Sequence, residues 1–305
     1  MSEFITIDAH VHLWNAQNGR VNGGPVAGVG NGKANFDGEI RQMMPPYMTD
    51  NENTAERLLA NMDYAGVNGC VVTQEYIDGN QDEYLKCVRK KYPDRFRVCA
   101  LYEDTGNCTG NAKGLRENLS LDGFDGVKVC ASRLQNPDVI ALLPLFLKAE
   151  DEGKFISVDL ADGALQVDGM RELIRICPKL RIAIGHFGMV TTEGWQKQIE
   201  LAQNPNVYIE SGGLTWLFHK EFYPYAGGVD AICEAKEICG AEKLMWGSDY
   251  PRTMTDITYS MATRFILETP KLTRAEKAAF LGGNAQKFYG FDFSAPLPAI
   301  GNMLD

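Results

Sequence analysis

Eight short runs rich in β-branched and aromatic residues recur along the chain, and a helical pattern separates nearly every successive pair. The runs are Phe4–Ala9, Gly69–Gln74, Phe96–Tyr102, Gly126–Cys130, Phe155–Leu160, Arg181–His186, Val207–Ser211 and Leu244–Ser248. Among the helical patterns, Thr54–Tyr64 sets Leu58, Leu59 and Met62 on one face and runs on to Ala65, and Asp82–Lys91 does the same with Tyr84, Leu85 and Val88. Val139–Glu152, Gly169–Cys177, Glu193–Gln203, Asp230–Cys239 and Ile257–Leu267 follow, and Ala275–Tyr289 closes the series behind the capping-box pair Thr273 and Glu276. Strands alternating with helices build a parallel sheet, and eight is the number that closes a barrel. The competing open, doubly wound sheet usually carries a Gly-rich turn after its first strand. Here that place holds His10-Val11-His12. The expected fold is therefore α/β: a single, distorted (β/α)₈ TIM-type barrel spanning 1–305.

Two stretches break the alternation. Residues 15–50, rich in Gly, Asn and Pro, read as a long loop insertion after the first strand, which in a barrel lies over the catalytic face. Residues 291–305, with Pro296 and Pro298, read as a C-terminal tail, either loose or packed on a neighbouring subunit. Long barrel-top loops and such a tail are compatible with a homo-oligomer.

The net charge of −10 argues against nucleic acid as the main partner, because an acidic surface repels phosphates. It leaves room for an anionic small substrate held by a local cluster of Lys and Arg. Met1–Ile7 is too short and acidic for a signal peptide, and no apolar run is long enough to span a bilayer, so a cytoplasmic protein without a membrane partner is expected. The eight cysteines, at 70, 87, 99, 108, 130, 177, 233 and 239, form no CxxC pair, and several sit in apolar runs. Reduced thiols are expected, and the acceptor pattern Asn118-Leu119-Ser120 carries no weight in that compartment.

In a strand, residues i and i+2 share a face, so His10 and His12 point the same way at the carboxyl end of the first strand. Two such imidazoles make half of a metal site or a pair of donors for an anionic substrate. The chain has four His. A third, His186, ends the sixth run, and an acid, Asp249, follows the eighth. Lys128 lies within the apolar fourth run and Arg133 just beyond it. Both, with Arg252, are candidates to bind a substrate carboxylate, and an ion pair of Lys128 with Glu210 or Asp159 is the alternative. His219, Trp14, Trp216, Phe218, Phe187 and Tyr47 are weaker candidates for the pocket wall.

Four segments occur in order: Ile7-Asp8-Ala9-His10-Val11-His12, Gly185-His186-Phe187-Gly188, Trp246-Gly247-Ser248-Asp249-Tyr250-Pro251 and Gly282-Gly283-Asn284-Ala285-Gln286-Lys287-Phe288-Tyr289-Gly290. Together they resemble the amidohydrolase superfamily, in the amidohydrolase-2 branch that includes sugar-lactone and pyrone-dicarboxylate lactonases and metal-dependent decarboxylases. The resemblance spans nearly the whole chain. It implies His10 and His12 as metal ligands and His186 as the residue that orients or polarises substrate. It implies Asp249 as ligand and general base. Where that branch often has a ligating His at the end of the fifth strand, this chain has Asp159. A His10/His12/Asp159/Asp249 site would suit one divalent cation, Zn²⁺ or Mn²⁺. A metal-free site, in which histidines and arginines grip the substrate, is the alternative. The expected activity is hydrolysis of a small carboxylated or polyhydroxy lactone by Asp-activated water. Two other readings stand beside it: a metal-dependent non-oxidative decarboxylase of an aromatic or unsaturated acid, and a barrel that only binds a ligand.

Overall fold

The computed structural model describes residues 3–103, 120–301 and 303. Its core is a sheet of eight parallel strands: β1 (Ile7–Val11), β6 (Gly69–Val72), β7 (Phe96–Tyr102), β8 (Gly126–Cys130), β9 (Phe155–Asp159), β10 (Arg181–Ile184), β11 (Val207–Glu210) and β12 (Leu244–Met245). Each pairs with the next in chain order. The seam between the last and first strands is carried by Ala9 N–H to the Trp246 carbonyl (2.9 Å), Asp249 N–H to that of His10 (2.9 Å) and His12 N–H to that of Tyr250 (2.8 Å). The fold is the expected (β/α)₈ barrel.

Strand alternation divides the core in two. Outward residues such as Val127, Val129, Ile156, Val158, Ile182 and Ile184 pack under the surrounding helices. Inward residues, among them Ile7, Ala9, Val71, Cys99, Phe155, Tyr208 and Met245, fill the barrel and meet Phe288, Tyr289 and Phe291, which plug its lower end. Phe291 and Phe293 lie against Gly69, and Asn68 Nδ2 donates to the Ala295 carbonyl at 2.9 Å. The first part of the tail packs on its own barrel, where two Phe rings find apolar cover.

The insertion is also more ordered than a loop. Within 15–50 the chain forms a four-stranded antiparallel meander, β2 (Asn18–Val21), β3 (Gly24–Gly30), β4 (Lys33–Phe36) and β5 (Glu39–Gln42). Its turns fall at Asn22-Gly23, Asn31-Gly32 and Asp37-Gly38, all with positive φ. Asn-Gly and Asp-Gly are the pairs that accept that geometry, so the meander was legible in turn chemistry that composition concealed. Trp14, Met44 and Met48 bury its base.

Of the boundaries that differ from the sequence reading, three have clear local reasons. β1 starts later than Phe4 because Thr6 N–H is taken by the Asn68 side chain (3.2 Å) instead of a ladder partner. β12 is short because Trp246 N–H goes to the Phe280 carbonyl (2.8 Å) and Gly247 N–H to Ser211 Oγ (3.1 Å). The last helix, begun by the expected Thr273/Glu276 capping box, widens into a π turn at Ala279–Gly283 before Asn284–Tyr289. That turn gives Trp246 its carbonyl, and Gly282 lets the helix backbone touch Ile5.

The seven described cysteines are free thiols, five of them buried. Cys108 and the acceptor pair Asn118-Leu119 lie outside the described residues. Among the described residues no helix is long and apolar enough to cross a membrane.

Candidate active site

The register of β1 shifts between Asp8 and Val11. Ile7 and Ala9 face the barrel interior, yet His10 and His12 face the mouth as well. The irregularity re-phases the strand, a device common beside active sites. Asp8 pins it: Oδ1 accepts His10 N–H (3.1 Å) and Ser248 N–H (2.8 Å), and Oδ2 accepts the Tyr259 hydroxyl (2.7 Å). Burial, opposed by those hydrogen bonds, pushes the Asp8 carboxyl up to about 6.

The two imidazoles meet with Nε2 atoms 3.2 Å apart. His12 Nε2 lies 2.8 Å from Asp249 Oδ1, and His10 Nε2 lies 3.8 Å from the same oxygen. Asp249 Oδ2 accepts Trp216 Nε1–H at 2.7 Å. Asp249 and His186 both hold positive φ, which side chains other than glycine adopt only when their surroundings enforce it.

Behind His10 stands Glu210, fully buried at the end of β11. Its Oε1 is 2.7 Å from His10 Nδ1 and accepts His186 N–H (3.2 Å), while Oε2 accepts Gly212 N–H (2.6 Å). A carboxylate that only accepts places the proton on His10 Nδ1 and leaves Nε2 with its lone pair. Glu210 entered the sequence reading only as a partner for Lys128. The signal for its role was there: a lone acid, in step with inward Tyr208, at the carboxyl end of an otherwise apolar strand.

Asp159 ends β9 and joins a second group. Its Oδ1 holds Lys128 Nζ at 2.7 Å, and its Oδ2 lies 3.5 Å from His186 Nε2. His186 Nδ1 donates to the Gly212 carbonyl at 2.8 Å. Burial opposes the charge on His186, but the Asp159 carboxylate outweighs it, with Asp249 and Glu210 adding to it, and raises the imidazole to about 10. His186 is therefore an imidazolium at neutral pH. Burial likewise opposes ionisation of Asp159 and Asp249. Lys128 and His186 nevertheless hold Asp159 far below the usual range, and His12 and Arg252 do so for Asp249. Burial and Arg252 keep His12 neutral despite Asp249.

The expected quartet of ligands thus divides. Among the described residues, three triads bring donor atoms within 4.8 Å: His10/His12/Asp249, His10/Asp159/His186 and Glu75/Cys130/Asp159. The second contains a protonated His186 and an Asp159 already committed to Lys128. The third contains a thiol whose proton is held by burial. The first alone brings two imidazole nitrogens and an ionised carboxylate together with no buried Lys or thiol among them, and a cation would take the place of the proton that His12 Nε2 shares with Asp249. Its donor separations of 2.8 to 3.8 Å bracket the roughly 3.3 Å edge of a tetrahedron with bonds of about 2.0–2.1 Å. These residues fit a divalent cation, and Asp159 stands apart from it.

Above this floor opens a cavity of about 540 Å³, lined by His12, Asp159, His186, Trp216 and Asp249 and, higher up, by Arg41, Arg133 and Arg252. Arg133 lies 2.8 Å from Glu75. Arg252 Nη2 binds both oxygens of buried Asp78 (2.8 and 3.0 Å), and Asp78 Oδ2 faces His12 Nδ1 at 3.4 Å. Nothing in the sequence singled out Asp78. Lys128 does not line the cavity: it is fully buried on Asp159, so the ion-pair alternative describes it and the substrate-carboxylate role does not. Phe187 stacks on Trp195 away from the mouth, Phe218 packs against the outer core and Trp14 anchors the meander. Tyr47 is exposed beside a separate hollow. His219, exposed, bonds the Trp216 carbonyl at 2.6 Å.

Three glycines make room for the cluster. A methyl group on Gly212 would come within 2.7 Å of the His10 ring and 2.8 Å of Glu210 Oε2. Gly212→Ala is therefore expected to displace His10 and lower kcat/KM about 10²-fold, the usual cost of an ångström-scale misplacement, with the far-ultraviolet circular dichroism unchanged. Activity near wild type would mean that His10 needs no fixed pose.

A parallel barrel with a buried His-His-Asp triad at its carboxyl-terminal mouth has the architecture of a barrel enzyme. The chain belongs to the amidohydrolase family, whose sequence profile matches residues 7–291. No curated protein matches it in sequence. Its fold is shared by a probable 2-pyrone-4,6-dicarboxylic acid hydrolase of Acinetobacter baumannii with citric acid bound, at TM-score 0.65, 19 % identity and coverage of 94 % and 99 % of the two chains. It is shared by an amidohydrolase of Burkholderia multivorans with bound zinc, at 0.63, 16 %, and 94 % and 100 %. A 5-carboxyvanillate decarboxylase of Novosphingobium aromaticivorans complexed with manganese is similar at 0.53, 17 %, and 77 % and 80 %.

Proposed function

We propose that the protein hydrolyses a small carboxylated lactone or related ester. The observation that carries this reading is the convergence of His10 Nε2, His12 Nε2 and Asp249 Oδ1 beneath a cavity whose upper wall carries Arg133 and Arg252. His10, His12 and Asp249 would hold one Zn²⁺ or Mn²⁺, which when bound supplies Lewis acidity at the substrate carbonyl. The side chains do the rest. Asp249, ionised, takes a proton from water as its oxygen attacks the carbonyl carbon. The His186 imidazolium meets the charge developing on the carbonyl oxygen, and Asp159 and Lys128 hold that ring in place behind the reaction. As the carbon–oxygen bond of the ring breaks, Asp249 returns the proton to the leaving oxygen. Arg133 and Arg252 orient the substrate carboxylate through charge-assisted hydrogen bonds.

The zinc-bound and manganese-bound neighbours in fold do not decide between hydrolysis and loss of CO₂, so the test must. Of the three aromatic residues expected to favour a planar acid, Trp216 lines the cavity, its ring 5.8 Å from that of His186, while Phe187 and Phe218 turn away. A panel of carboxylated lactones, sugar lactones and hydroxybenzoates, with acid release and CO₂ release followed separately, is expected to show acid without CO₂. CO₂ release from an aromatic acid would replace this reading with the decarboxylase. Dialysis against a chelator is expected to remove close to one equivalent of metal per chain and to abolish turnover, with zinc or manganese restoring it. Full activity in metal-free protein would leave the histidines as substrate ligands.

A further inference from the structure

The geometry points to the Phe36–Arg41 pair of the meander as a specificity element that receives an anionic group at the end of the substrate remote from Asp249. This rests on the reading of an anionic substrate and deepens it. In the pairing of β4 with β5, Phe36 stands opposite Glu39 and Ala34 opposite Arg41. Directly opposed residues share a face, so Phe36, Ala34, Glu39 and Arg41 project together. Ala34 offers only a methyl group, which leaves Arg41 free to lean diagonally across it. Its guanidinium settles over the Phe36 ring, 4.7 Å from the centroid. Both residues line the cavity.

The three arginines around that cavity are not equivalent. Arg252 is held by buried Asp78, and Arg133 by the largely buried Glu75. Arg41 instead pairs with Glu39 at 2.6 Å, and the two side chains are 53 % and 63 % exposed. An exposed pair of this kind stabilises by only about 0.2–1 kcal/mol, so a ligand carboxylate can replace Glu39 at little cost. The sheet that carries Arg41 is tethered at both ends. Asn51 Oδ1 accepts Gly32 N–H at 3.0 Å, Gln42 Nε2 donates to the Met44 carbonyl at 2.7 Å, and Arg20 N–H donates to the Tyr76 carbonyl at 2.8 Å. The guanidinium is thus presented from an ordered support, with little ordering left to be done on binding.

The test is calorimetric binding of citrate, phthalate and glutarate to the wild-type protein, Arg41→Ala and Arg41→Lys, with the corresponding neutral amides as controls. Arg41→Ala is expected to weaken at least one of the acids tenfold or more and to leave the amides unchanged. Arg41→Lys should recover part of the loss, since it keeps the charge but not the planar fork. Phe36→Ala should weaken the same acid several-fold by releasing the guanidinium. Affinity of Arg41→Ala within twofold of wild type for all the acids that bind overturns the inference and leaves the anionic-substrate reading standing. Failure of the wild-type protein to bind any of the three acids removes that reading and this inference with it.

Discussion

Replacing Asp249 with Asn is expected to lower kcat/KM by about 10²–10⁴, the range that a positioned general base supplies, while the protein stays folded. The amide keeps the size of the carboxylate and retains one oxygen to accept Trp216 Nε1–H, which Asp249 now binds at 2.7 Å. Two properties are lost. The amide cannot take a proton from water, and it does not bring a negative charge to the point where His10 Nε2 and His12 Nε2 converge, so metal content after purification should fall as well. Steady-state kinetics, elemental analysis and a thermal melt on the same preparation separate these effects from unfolding. Activity within tenfold of wild type in a folded variant would sink the mechanism.

A second large effect is expected at Lys128. Its side chain is fully buried and pairs with Asp159 at 2.7 Å. Lys128→Met preserves volume but leaves Asp159 as a buried anion with His186 alone to face it. Breaking a buried pair by removing one partner costs about 3–5 kcal/mol, and the remaining imidazolium puts this case near the lower end. For a chain of this size that amounts to a fall in Tm of roughly 5–10 °C. Adding Asp159→Leu removes the uncompensated charge and should restore much of the stability while leaving His186 unsupported, so stability and activity should part company in the double variant. An unchanged melting temperature for Lys128→Met would show that water reaches Asp159 and that the pair has no structural weight.

These expectations rest on features that were not equally visible in the chain. Periodicity located the eight barrel strands, because a strand buried on both faces must be apolar throughout. The i, i+2 rule put His10 and His12 on one face. What the rule could not show is the irregularity after Asp8 that turns that face to the mouth, since it depends on Ser248 and Tyr259, far away in sequence. The meander was concealed by its Gly-rich composition, although its Asn-Gly and Asp-Gly turns were in plain view.

The sequence by itself determined which residues could do the chemistry. A chain with four His places three of them, with Asp249, at the ends of barrel strands, and strand ends in a parallel barrel gather at one rim. Only the tertiary structure decided how those residues divide. Asp159, the natural candidate for a fourth ligand, lies next to Lys128 across the β8–β9 pairing, and a buried cation claims the nearest carboxylate. Asp249 meets His12 because the barrel seam closes β12 onto β1. Such contacts join strands far apart in the chain, and it is the distance between charges in space, not their order in sequence, that sets which acid serves a lysine and which is free to serve a reaction.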